Sequence, residues 1–277
     1  MRTLFILASV ALVGCAASSE PEGGSDLPLA PYSAAGRAMP GASDEARSAT
    51  TDTSLAGPRP ADSSSSCVQG AFCDSFESSG YAADWKGAFT TGRALIELGR
   101  DSATVGVGSL RLTTHDDEST AYLRHESGEV GAQWSGSLSF AFRLAQVPAS
   151  YLGGPQLTVK TAFGPVYVRL FATPEGVFIE QNGTASCPVE RCIGTRTSIA
   201  KAVPNHWYNI DLRFHANGHN SAPYGSIEAL VNHGEAVVAD LNVPLSDGSV
   251  FLEAGITQGD PGRDSVLDLD DVALLVR

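Results

Sequence analysis

From Cys67 onward the chain is dominated by short runs in which apolar and polar side chains alternate. Leu138, Phe140, Phe142 and Leu144 fall on one face of an extended segment, and Ser137, Ser139, Ala141 and Arg143 on the other. Val166, Val168 and Leu170 alternate in the same way with Tyr167, Arg169 and Phe171. So do Tyr208, Ile210, Leu212 and Phe214 with Trp207, Asn209, Asp211 and Arg213. A period of two marks a half-buried strand. The same reading predicts strands over 95–98, 109–113, 122–125, 157–162, 177–180, 227–231, 236–241, 250–256 and 266–276, with Gly, Pro, Asn and Asp between them. No apolar stripe of helical period lasts long enough to predict a helix. Many short strands in about 210 residues predict an all-β domain, a two-sheet antiparallel sandwich with one shared core.

The N-terminal quarter reads differently. Arg2 is followed by an apolar stretch from Leu4 to Val13, as in a secretory signal peptide over 1–14. Leu12-Val13-Gly14-Cys15 resembles the lipobox of bacterial lipoproteins, in which cleavage precedes the cysteine and its thiol is acylated. Ala16 after it implies, by the same resemblance, sorting to the outer membrane of a Gram-negative cell. Residues 16–66 hold one aromatic, Tyr32, among Ser, Ala, Pro, Gly and Asp. Such a segment buries too little apolar surface to offset its ordering entropy, so 15–66 is read as a lipidated cysteine with a disordered tether spanning roughly 40 Å on average. The folded domain is then 67–277, and membrane association runs through the N-terminal anchor alone.

The full chain of 277 residues carries 18 Lys plus Arg against 31 Asp plus Glu, a formal net charge of -13. Nucleic acid is excluded as a partner, because neutralising phosphates needs a cationic surface. After lipidation of Cys15, Cys67, Cys73, Cys187 and Cys192 form an even set. Export permits disulfides, and the short spacings favour Cys67 with Cys73 and Cys187 with Cys192, although four cysteines allow three pairings.

Four short motifs occur in order along the domain: Phe72-Cys73-Asp74-Ser75-Phe76-Glu77 with Gly80 and Trp85, then Gly108-Ser109-Leu110-Arg111-Leu112, Trp207-Tyr208-Asn209-Ile210, and Leu269-Asp270-Asp271-Val272. They resemble the jelly-roll domains of the concanavalin A-like and laminin G-like superfamily, and several jelly-roll carbohydrate-binding modules. The resemblance implies a structural calcium ion where the first and last strands meet, held by Glu77 and by Asp270 or Asp271 with backbone carbonyls. Hard carboxylate oxygens suit Ca²⁺. Solvated strand residues or turn formers are the competing reading of these acids.

Catalytic patterns are weaker. Glucanases of the superfamily set three carboxylates at alternate positions of one strand, and no such run exists here. Jelly-roll polysaccharide lyases use Arg, Gln or His, and Tyr from neighbouring strands; Tyr122 with Arg124 and Tyr167 with Arg169 are the nearest echoes. Stacking aromatics with planar polar groups suit a sugar-binding surface, and Tyr122, Arg124, Tyr167, Arg169, Asn209, Asp211 and Arg213 supply both if their strands adjoin. The sequence therefore predicts a lipid-anchored, non-catalytic carbohydrate-binding domain, not an enzyme, with polysaccharide as its ligand. A protein-binding adhesion or scaffold module of the envelope is one alternative. A divergent polysaccharide lyase or glycoside hydrolase is another.

Overall fold

The structure, a computed structural model, describes residues 69–77, 84–99, 103–104, 106, 108–162, 164–183, 195–218, 221 and 223–277. The signal peptide, Cys15, the tether, Cys67, Cys187 and Cys192 lie outside them; Cys73 lies on the first strand. Among the described residues there is no helix.

Fifteen strands follow one another: β1 (Phe72–Asp74), β2 (Gly87–Thr90), β3 (Leu95–Gly99), β4 (Ser109–Thr114), β5 (Ala121–Val130), β6 (Trp134–Leu144), β7 (Leu152–Thr161), β8 (Gly164–Thr173), β9 (Gly176–Gly183), β10 (Thr195–Ala200), β11 (Trp207–Ala216), β12 (Gly225–Val231), β13 (Val237–Asp240), β14 (Gly248–Ile256) and β15 (Ser265–Val276). One sheet runs β13-β12-β11-β6-β15-β4-β3, with β1 added against β15; the other runs β10-β9-β8-β7-β14-β5-β2. The pairings are antiparallel. This is the two-sheet jelly-roll sandwich that the alternation predicts.

The alternation sets what each sheet buries. Leu138, Phe140, Phe142 and Leu144 from one sheet are buried in the same core cluster as Leu157, Val159, Val168, Leu170, Leu252 and Ile256 from the other. Full burial of such a side chain contributes about 1.5–3 kcal/mol. The remaining face of each sheet is free for chemistry.

The last strand shows how local sequence shapes the assembly. Leu267 and Leu269 are buried, but the next buried apolar pair is Val272 and Leu274, so the alternation skips a beat. At that point the pairing with β6 shifts register between Asp270 and Ala273, and Asp271 takes φ 49°. Such a bulge re-aims side chains without breaking the sheet. One edge of β15 is divided, with residues 265–269 on β4 and 272–274 on β1. The first and last strands therefore lie side by side.

Candidate active face

The face of the seven-stranded sheet turned away from the shared core carries one continuous polar row. Arg124 on β5 pairs in register with Glu253 on β14, Glu253 with Gln156 on β7, and Gln156 with Arg169 on β8. Arg169 then pairs with Glu180 on β9, and Glu180 with Arg196 on β10. Each side chain stands on the face opposite its buried neighbours, such as Leu123, Leu252, Leu157 and Val168. Six strands thus contribute one side chain each to a line crossing them.

At one end, Glu253 Oε2 accepts hydrogen bonds from Gln156 Nε2 at 2.8 Å and from Thr158 Oγ1 at 3.4 Å. Burial pushes the Glu253 carboxyl above the usual carboxylate range, opposed by the Arg124 charge and by these two hydrogen bonds. Tyr122, paired in register with Gly255 two positions along from the Arg124–Glu253 pair, stacks on Phe89 with ring centroids 5.3 Å apart. Its phenol is pushed up to about 12, mainly by burial and further by Glu253, with Arg124 acting the other way. A tyrosine of that kind is a proton donor at neutral pH, whereas a carboxylate of raised basicity is a proton acceptor.

Arg124 is held by rings. Its guanidinium carbon lies 4.2 Å from the Phe251 centroid and 6.0 Å from that of Phe89. Among the described residues its side chain donates to no acceptor. Cation–π contact of this kind contributes about 0.5–2 kcal/mol and leaves the N–H edges available to an anion.

At the other end, Glu180 sits between two arginines. Arg169 donates through Nε at 2.6 Å and Nη2 at 2.5 Å to Oε2, and Arg196 through Nε at 2.9 Å and Nη2 at 2.8 Å to Oε1. Phe171 lies beneath, 4.0 Å from the Arg196 guanidinium carbon and 5.0 Å from that of Arg169, and Tyr151 stacks on it. Tyr151 is positioned by Asp260, a fully buried carboxylate. Asp260 accepts from the backbone N–H groups of Ala149, Ser150 and Tyr151 at 2.5, 3.0 and 3.3 Å.

Four of the seven sequence-predicted binding residues, Tyr122, Arg124, Tyr167 and Arg169, share this face, with the Tyr167 ring 5.3 Å from the Arg169 guanidinium carbon. Asn209, Asp211 and Arg213 do not join them. β11 lies between β6 and β12 in the other sheet, and there Arg213 pairs with Asp211 at 3.3 Å and Glu228 at 3.5 Å. Alternation puts all seven on polar faces but does not say which sheet receives a strand. Gln156, Glu180, Arg196 and Glu253 were absent from the expected set. Glu253 was legible, since Leu252 and Ala254 bracket it as an outward position.

The expected calcium ligands meet around one segment. Gly108 N donates to Glu77 Oε1 at 3.1 Å, and a Cβ added to Gly106 would lie 2.1 Å from that oxygen. Thr104 donates to Asp270 Oδ2 through N at 2.8 Å and Oγ1 at 2.7 Å, and its Oγ1 lies 3.4 Å from Asp271 Oδ2. Burial pushes the Asp270 carboxyl up to about 6, with Asp271 adding to the effect against hydrogen bonds from Thr104. Thr104 and Gly108 thus touch all three acids between them, and hard oxygens without nitrogen or sulfur ligands fit Ca²⁺. Among the described residues no three His, Cys, Asp or Glu side chains converge as a metal cluster, so backbone carbonyls would have to complete the shell. Asp268, two residues from Asp270, is already taken: Arg111 and Arg143 bind it at 2.8 and 2.7 Å.

No family model and no curated protein matches the chain. Solved structures do. An endo-β-1,4-glucuronan lyase from the fungus Trichoderma reesei superposes with a TM-score of 0.55 at 15% identity, over 73% of this chain and 94% of that one. The two chains share the antiparallel jelly-roll fold. The cellulose-induced protein Cip1 (TM-score 0.47, 12% identity, 74% and 96% coverage) and the family 7 alginate lyase A1-II′ (0.44, 14%, 61% and 80%) are more distant. Most of these neighbours are polysaccharide lyases. The expectation of a non-catalytic carbohydrate-binding module, and with it that of no enzymatic activity, is corrected on the likeness to the glucuronan lyase.

Proposed function

We propose that the protein is a polysaccharide lyase that cleaves a uronate-containing glycan by β-elimination. The observation that carries the reading is Arg124, a ring-held guanidinium without a protein acceptor among the described residues, set beside Glu253, Tyr122 and Gln156. In this assignment Arg124 binds the uronate carboxylate, with Gln156 alongside, and its charge acidifies the neighbouring C5–H. Glu253 removes that proton. The C4–O4 bond breaks as the C4=C5 double bond forms, and Tyr122 donates its proton to the departing O4. Glu253 and Tyr122 then exchange protons with solvent, which restores the starting state.

Calcium has no step in this scheme. Bound by Glu77 and Asp270, with Asp271 beside them, it would tie the segment after β1 to the bulge of β15. The exported, lipid-anchored placement read from residues 1–66 belongs to the same proposal and agrees with a polymeric substrate outside the cytoplasm.

The test uses the full chain with glucuronan and alginate as substrates. Ultraviolet absorbance of an unsaturated uronate at the new chain end is the expected product signal. New reducing ends without unsaturation, or polymer recovered intact from both substrates, would overturn the proposal.

A further inference from the structure

The polar row extends well past the reactive group, and its far end has features of its own. Five interstrand steps of about 4.8 Å separate Arg124 from Arg196, so the row spans about 24 Å before twist is considered. Along it arginines recur: three steps, about 14 Å, from Arg124 to Arg169, and two, about 10 Å, from Arg169 to Arg196. Glu180 cannot neutralise both of its partners, which leaves this end one positive charge in excess on a chain whose net charge is -13.

The geometry at this end is fixed. Each arginine spends Nε and Nη2 on a separate Glu180 oxygen, and among the described residues neither Nη1 finds an acceptor. The Phe171 ring holds Arg196 flat from one side while the Arg196 side chain stays 49% exposed. Arg169 is packed closely against Gly153, where a Cβ would lie 3.0 Å from Arg169 Nη1 and from Gln258 Cβ, so Arg196 supplies the accessible edge of the group. A buried Arg–Glu–Arg group costs desolvation and contributes little to stability when hydrophobic packing could replace it. Its planar donors are well suited to a carboxylate.

We infer that Arg169, Glu180 and Arg196 form a second anion site, which takes the carboxylate of another sugar farther along the same polymer, so that the glycan crosses the strands and is read by its length and charge. The inference rests on the lyase reading for the position of the reactive sugar, but its binding element is independent of the elimination step.

The probe is a set of size-fractionated oligoglucuronates, short (three sugars) and long (eight sugars), with neutral cello-oligosaccharides as controls. Binding is followed by calorimetry on Arg196→Gln and on the unaltered full chain, each also carrying Arg124→Gln to stop turnover. The expected result is that the unaltered row prefers long over short oligomers, and that Arg196→Gln lowers this preference about tenfold. Arg196→Lys should fall between, since it keeps the charge and loses the planar fork. The preference should also weaken with added salt, less steeply in Arg196→Gln. An equal loss for short and long oligomers, no loss for either, or equal binding of the neutral controls would overturn the inference. If length preference depends on Arg196 while no polymer is cleaved by the unaltered chain, the second site stands and the lyase proposal falls. Cleavage without any length dependence has the opposite meaning.

Discussion

At the scale of single residues the proposed elimination depends on two displaced acidities and one unpaired guanidinium. Replacing Glu253 by Gln keeps the shape and the hydrogen bond from Gln156 but removes the base, and turnover of glucuronan should fall about 10²- to 10⁴-fold. The same variant tests the burial of the carboxyl. A carboxyl whose pKa is raised on folding holds its proton more tightly in the native state, so the native state loses stability as pH rises from the ordinary Glu value through the raised one. Thermal unfolding of Glu253→Gln should show no such loss, and its advantage over the unaltered chain should grow across the weakly acidic range and level off above it. A pH-independent difference would contradict the assignment. Arg124→Lys keeps a charge but cannot lie flat on Phe251, and kcat/KM should drop at least tenfold with little change in melting temperature. Sequence alone picked Tyr122 and Arg124 because an aromatic and a planar cation at alternate positions of one strand suit a sugar-binding face. It passed over Glu253 because Val250, Leu252, Ala254 and Ile256 made that strand look like a core element only.

At the scale of elements, strands rich in alternating apolar residues were legible, and so were the edges of the larger sheet, β3 and β13, but the two edge strands of the seven-stranded sheet were not. β10 reads Thr-Arg-Thr-Ser-Ile-Ala and packs few residues into the core, so its periodicity is faint, yet it carries Arg196. β2, only four residues long, was missed for the same reason and brings Phe89 beneath Tyr122. Neither register nor sheet membership follows from alternation, which is why β11 was expected beside β5 and β8. The loop leading into β7 depends on Asp260. Three backbone donors converge on its carboxylate, and each one stranded by truncation costs about 1–3 kcal/mol. Asp260→Ala should therefore lower unfolding free energy by at least about 3 kcal/mol in urea titration, with Asp260→Asn less severe. Detachment of Tyr151 from Phe171 should accompany it as a change in near-ultraviolet circular dichroism.

At the scale of the whole molecule the two-sheet architecture was legible from period-two alternation, and the order of four short motifs matched the jelly roll they resemble. The exposed face as a single site was not legible, because it exists only once β14 inserts between β5 and β7. Calcium is tested at this scale too. If Glu77 and Asp270 hold the ion, melting temperature should rise with added Ca²⁺ and fall back with chelator, and Glu77→Gln should abolish the response while retaining the strand content. A melting temperature indifferent to Ca²⁺ would remove the ion from the account. The interior position of β15, between β6 and the β4–β1 edge, bears on how the chain comes to be made. The larger sheet cannot be completed until β15, the last of its strands in chain order, has left the ribosome. Its two halves, β13-β12-β11-β6 and β4-β3, must therefore stay unjoined while the strands before β15 are made.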